Sequence, residues 1–171
     1  ADYAVITNLI VDGAVVEKKA GCAMSGSGLN IGVVCGEIPA YSELSNIIVR
    51  NSQITDNGET YTLAAALRAG GIGGNIQNTG KCEVRLYNLA ADTQISLLKN
   101  AATGSCEVGL GGMLGRADYT PNTTAPHIAP TNIIIHGNAI DTDKKNNSKF
   151  HFGPVVGMFA NNNAKINGEV C

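Results

Sequence analysis

The residues that could do acid–base or metal chemistry are few: His127, His136 and His151, with Asp141 and Asp143 beside the second of them. Asp141-x-Asp143 alternates as a strand does, so both carboxylates would share one face. Parallel β-helix enzymes that cut polysaccharides display acids in this way. A metal set of His136, His151, Asp141 and Asp143 has no recognised ligand spacing, and a polar loop after a strand accounts for the same residues. A nucleophile elbow of Gly-x-Ser-x-Gly type and a phosphate loop of Gly-x-x-x-x-Gly-Lys type are both missing, and Ser25-Gly26-Ser27-Gly28 reads as a flexible loop. The expectation is therefore a non-enzyme with no cofactor and no metal.

Five cysteines, Cys22, Cys35, Cys82, Cys106 and Cys171, include no Cys-x-x-Cys pair. They are candidates for disulfides or small buried hydrophobes, and the odd count leaves one thiol over. Asn122-Thr-Thr and Asn146-Asn-Ser are glycosylation sequons if the chain passes through a eukaryotic secretory route. The net charge is −2 and the one basic cluster, Lys144, Lys145 and Lys149, reads as a solvated loop, so no nucleic-acid partner is expected. No apolar run approaches the ~20 residues needed to cross a bilayer. Ala1 to Ala4 would suit the mature end of a processed chain.

The elements that must position these residues repeat. A Gly-x-x-x-Gly block occurs at Gly32–Gly36, Gly70–Gly74, Gly111–Gly115 and Gly153–Gly157, at spacings of 38, 41 and 42 residues. An alternating pair precedes each block: Leu29 and Ile31, Leu67 and Ala69, Val108 and Leu110, Phe150 and Phe152. Ile38, Ile76, Ala117 and Phe159 follow it. Upstream, Asn8, Asn46, Asn88 and Asn132 each open an aliphatic run, with Val16, Ile54, Ile95 and Ile140 seven or eight residues later. The copies run approximately 5–42, 43–84, 85–128 and 129–165, and 166–171 reads as the start of a further one, all within one repeat domain. The chain thus opens at the start of one copy and stops just inside another.

Apolar residues make up 44% of the chain, charged residues 15% and aromatics 5%, with no Trp, so the core must be aliphatic. The runs are too short for helices and rich in Ile and Val, which favours strands. A copy of about 40 residues cannot bury its own apolar face, whereas stacked copies can. The expected fold is all-β: a β-solenoid (parallel β-helix) of about four coils, with a four-bladed propeller-like β fold as the alternative. In the solenoid the four asparagines would form a ladder, and a solvent-facing turn role suits them as well. Leu63–Leu67 and Asp92–Asn100 are read as short helical decorations.

At the glycine blocks the sequence resembles the Glug repeat. Gly70-Gly-Ile-Gly-Gly74 with Ile76, and Gly111-Gly-Met-Leu-Gly115, look like its Gly-Gly-aliphatic-aliphatic-Gly core, and Lys81-Cys82-Glu83-Val84 looks like its Cys-x-Val stretch. Pro154 and Cys35 depart from the pattern, and the spacing is longer. Such repeats occur in large secreted or surface-attached proteins, outside their catalytic parts. The resemblance implies a secreted or cell-surface structural or adhesion module, and carries over no catalytic residue. Self-association end to end, or membership of a longer surface protein or filament, is the expected mode, with neighbouring repeats or a surface glycan as partners. The alternative is a carbohydrate-binding or polysaccharide-acting β-helix, with Asp141 and Asp143 near a tyrosine such as Tyr119. Ice binding would need recurring Thr-x-Thr ladders, which are absent.

Overall fold

A computed structural model describes residues 3–17, 28–55, 66–76, 84–97, 107–117, 134–135, 140–141 and 149–159. All of the regular structure among them is strand: β1 Val5–Asp12, β2 Val15–Glu17, β3 Leu29–Gly32, β4 Cys35–Ile38, β5 Glu43–Thr55, β6 Ala66–Gly70, β7 Gly73–Ile76, β8 Arg85–Ser96, β9 Glu107–Gly111, β10 Leu114–Ala117, β11 Ile134–Ile135, β12 Ile140–Asp141, β13 Lys149–Gly153 and β14 Val156–Phe159. No helix among these residues is long and apolar enough to cross a membrane. Asp92 to Ser96 continue β8 and make no helical turn; Leu63 to Ala65 lie outside the described residues. The cross-copy hydrogen bonding of β8 outweighs whatever local preference that stretch has for a turn.

Three sheets form. The long sheet has the order β1-β5-β8-β11, with β2 on β5 and β12 on β8. The incoming sheet is β3-β6-β9-β13 and the outgoing sheet β4-β7-β10-β14. All the strand pairs among the described residues are parallel, and each joins one copy to the next. A propeller blade would pair antiparallel strands within one copy, so that alternative is set aside. Parallel strands need long connections, and here the rest of each copy supplies them.

The register pairs like with like. Gly32, Gly70, Gly111 and Gly153 stand in one row across the incoming sheet. Val16, Ile54, Ile95 and Ile140 form another on the long sheet. Ile38, Ile76, Ala117 and Phe159 form a third on the outgoing sheet. The bends continue the ladders: Val34 N–H donates to the Ile72 carbonyl at 3.0 Å, and Ile72 N–H to that of Met113 at 2.9 Å.

The core lies on two sides of the incoming–outgoing bend. On one side Leu44, Ile47, Val49, Leu86 and Leu89 of the long sheet meet Ile38, Ile76 and Leu114 of the outgoing sheet. On the other, Ile54 and Ile95 meet Leu67, Ala69, Val108 and Leu110 of the incoming sheet. Each fully buried Leu or Ile contributes roughly 1.5–3 kcal/mol.

Strict alternation cannot give this burial, because Leu44 and Ile47 both point inward, as do Val49, Ser52 and Ile54. Left-handed residues reset the parity. Asn8, Asn46 and Asn88 have φ of 57°, 53° and 53°. A second reset is made by Gly13 (φ 68°) in the first copy and Asn51 (φ 51°) in the second. The third copy lacks it: β8 runs Leu89, Ala91, Thr93, Ile95 inward without interruption, and the register with β5 shifts between Val49 and Ser52. This one-residue deletion is why Ile95 follows its Asn by seven residues and Ile54 by eight.

Candidate functional surface

The asparagine row lies on the outer face of the long sheet. Asn46 Nδ2 donates to Asn8 Oδ1 at 3.1 Å, and Asn88 Nδ2 donates to Asn46 Oδ1 at 2.9 Å. Asparagine suits both demands: it tolerates left-handed backbone and carries a donor and an acceptor on one planar group. Asn132 lies outside the described residues.

The second glycine of each block performs a different task. A Cβ on Gly74 would stand 2.6 Å from the Gly36 carbonyl oxygen and would also run into the Ile31 main chain. A Cβ on Gly115 would stand 2.6 Å from the Gly74 carbonyl oxygen and collide with the main chain of Ala69. Each outgoing strand therefore packs, backbone against backbone, on the incoming strand of the preceding copy.

Polar side chains line the seam between those two sheets. Arg68 Nη1 donates to Asn30 Oδ1 at 3.1 Å, and Asn30 Nδ2 donates to Glu37 Oε2 at 3.0 Å. Glu107 lies 3.9 Å from the Arg116 guanidinium and 3.8 Å from His151 Nε2. Among the described residues the Arg68–Asn30 and His151–Glu107 contacts join successive copies, and the other two lie within one copy.

On the long sheet, Arg50 Nη2 meets Asp12 Oδ2 at 2.8 Å and Asn51 Nδ2 donates to Asp12 Oδ1 at 2.9 Å. The Asn51 bond, followed by that from Arg50, holds the Asp12 carboxyl below its ordinary value of 3.8.

One corner stands apart. Before β5 the chain turns through Tyr41, whose φ of 61° is rare for a bulky residue and which is 57% exposed. Tyr3, one copy earlier, is 66% exposed. The main chains beside them are bonded: Ala4 N–H donates to Ser42 Oγ at 3.0 Å, and Glu43 N–H to the Ala4 carbonyl at 2.9 Å. Tyr87 hydroxyl donates to Glu43 Oε1 at 2.6 Å, and Glu43 pairs in register with Arg85. The sequence reading passed over Tyr3 and Tyr41; their shared 38-residue spacing was the available signal.

The first copy has an uncovered side. Ile6, Leu9 and Val11 are half-buried, while their register partners Leu44, Ile47 and Val49 are 1%, 0% and 1% exposed. On the other side of the bend in the same copy, a cleft of about 290 Å³ is lined by Val16, Leu29, Asn30, Ile31, Gly32 and Gly36.

Of the residues with catalytic or ligating chemistry, His151 lies in β13 on the polar seam and Asp141 ends β12; His127, His136, Asp143 and Tyr119 lie outside the described residues. Among the described residues no group of three His, Cys, Asp or Glu converges as a metal site would require. Cys35 is a free thiol where the sequence allowed a disulfide, and burial pushes its pKa up to about 11. Cys22, Cys82, Cys106 and Cys171, and the sequons at Asn122 and Asn146, lie outside the described residues. No family model, no curated protein and no solved structure matches this chain.

Proposed function

We propose that the chain is a non-enzymatic structural or adhesion module of the secreted or cell-surface kind, built as a β-solenoid of about four coils. The observation that carries this reading is the register itself: Asn on Asn, Gly on Gly and Ile on Ile between successive copies. Parallel pairing of equivalent segments is how a solenoid grows by one coil. The Glug resemblance belongs to the same reading, and with it the extracellular setting.

The partner is a further coil, from a second copy or from a longer surface protein or filament. Support comes from the half-covered Ile6, Leu9 and Val11 and from the cleft in the same copy, which expose aliphatic side chains where β1, β3 and β4 end their sheets among the described residues. Sedimentation velocity over a wide concentration range tests this. The expected result is concentration-dependent linear assembly, abolished by Ile6→Lys. A wild-type chain that stays strictly monomeric at high concentration overturns the assembly.

A further inference from the structure

Each bend between incoming and outgoing strands is tied to the next copy by the same pair of bonds. Val34 and Cys35 N–H both donate to the Ile72 carbonyl, at 3.0 and 3.2 Å. Ile72 and Gly73 donate to that of Met113 at 2.9 and 3.0 Å, and Met113 and Leu114 to that of Val155 at 3.0 and 2.9 Å. Among the described residues the series has two unlike ends. Val155 and Val156 are its last donors, with no following copy to take their bonds, and the Val34 carbonyl is an acceptor with no preceding copy.

The second glycine of each block shows the same difference. A Cβ on Gly74, Gly115 or Gly157 would run into the main chain of the preceding copy, at Ile31, Ala69 and Leu110. A Cβ on Gly36 would meet, among the described residues, only the Asn30 carbonyl of its own copy, at 2.8 Å. The groove along Gly36 is thus open on the side where the other three receive a strand. The cleft lies there, with Val16, Leu29 and Ile31 among its apolar walls. At the opposite end of the stack, Phe152 closes the row Ile31, Ala69, Leu110, Phe152. Ala69 and Leu110 are 0% exposed, while Phe152, engaged within its own chain, is still 51% exposed.

We propose that two copies of this chain join head to tail in this same register. β13 and β14 of one copy continue onto β3 and β4 of the next. Val155 and Val156 donate to the Val34 carbonyl of the second chain, and Phe152 seats in its cleft between Val16, Leu29 and Ile31. A second copy is the occupant because each end carries what the other is shaped to receive: donors against an acceptor, an outermost incoming strand against an open groove, an aromatic ring against an apolar cleft. His151 comes in register beside Asn30, one amide from the Glu37 carboxylate, so a base meets an acid across the joint. Pro154 lacks the N–H that Gly71 gives to Gly112, so the joint has one bond fewer than that between the second and third copies. The two surfaces differ, so the contact does not close on itself and repeats into an open chain. This joint rests on the proposed solenoid and adds to it the occupant and the register.

Two end-specific variants of the full chain test it, each checked for folding by circular dichroism. Phe152→Glu spoils one end and Val16→Glu the other. Each alone is expected to lose linear assembly in sedimentation velocity, self-associating at least about tenfold more weakly than wild type. Mixed in equal amounts, they are expected to form a dimer and nothing larger, because only one joint in the mixture pairs an intact Phe152 with an intact Val16. A mixture as monomeric as its parts, or a single variant that assembles as wild type does, overturns the joint. Hydrogen exchange of wild type, read by mass spectrometry, decides the matter even where a variant fails to fold. Exchange at Val155 and Val156 is expected to slow as assembly proceeds, and unchanged exchange there in assembled protein overturns the joint. Wild-type assembly that survives Phe152→Glu defeats this register alone and leaves growth by coils standing; a wild-type chain that stays monomeric defeats both.

Discussion

Replacing Asn46 separates the two tasks assigned to the asparagine row. Asn46 sits at φ 53°, donates to Asn8 at 3.1 Å and accepts from Asn88 at 2.9 Å. Asn46→Ala removes both amide bonds, worth about 0.5–1.5 kcal/mol each and nearer the lower figure because the group is exposed. It also forces a Cβ-bearing residue without local side-chain bonding into the left-handed region, at roughly 1 kcal/mol. The sum is about 2–3 kcal/mol, or a fall of roughly 4–12 °C in Tm for a domain of this size. Asn46→Gly loses the same two bonds but accepts the backbone freely, so its cost is about 1–2 kcal/mol. Urea unfolding followed by circular dichroism measures both. The expected order is wild type, then Gly, then Ala, with about 1 kcal/mol between the variants. If Ala and Gly are equal and both lie within about 0.5 kcal/mol of wild type, neither the ladder nor the parity reset does what is claimed for it.

Gly74→Ala brings a methyl group onto the Gly36 carbonyl and the Ile31 main chain, so it should cost about 3 kcal/mol, the upper end for overpacking, whereas Gly13→Asn, with nothing within 4 Å, should be nearly neutral in the same unfolding assay. The Asp12 carboxyl should titrate by NMR below 3.8, and Asn51→Ala should move it back toward that value. Its folded pKa is depressed, so its contribution to stability is present above the unfolded pKa and lost as pH falls through the folded one; an unshifted titration in wild type contradicts the bonding described. The Cys35 thiol, with its pKa raised to about 11, should alkylate far more slowly in the native chain at pH 7 than in urea, as read by peptide mass mapping; equal rates would show that it is not shielded.

Much of this fold was legible because each copy repeats residue types at positions with one structural task. The Gly32, Gly70, Gly111 and Gly153 row follows from spacing alone once copies are taken to stack. The row at Val16, Ile54 and Ile95 was equally visible, yet its change of spacing was not interpretable. Nothing in the sequence says that Gly13 and Asn51 flip strand parity and that the third copy dispenses with the flip. That depends on which side of the chain meets the core, a tertiary fact. The helical reading of Asp92–Asn100 gave local propensity too much weight: from Thr93 to Ser96 the strand pairs with the second copy, more than 35 residues away. The tyrosine corner was missed for a related reason. Tyr3 and Tyr41 share the 38-residue repeat spacing, but what sets Tyr41 apart is a backbone angle and an exposure, neither of which is written in the sequence. By contrast, His136, Asp141 and Asp143 drew attention because their types carry chemistry, and His136 and Asp143 lie outside the described residues.

The central claim is that equivalent segments of successive copies lie directly beside one another, parallel and in register. Through-hydrogen-bond NMR couplings measure this without any appeal to shape. The account predicts couplings from Glu43 N–H to the Ala4 carbonyl, from Arg85 N–H to the Ser42 carbonyl and from Ile72 N–H to the Met113 carbonyl, all spanning about one copy. Couplings that instead join β3 to β4 or β6 to β7 as antiparallel partners within one copy would contradict it.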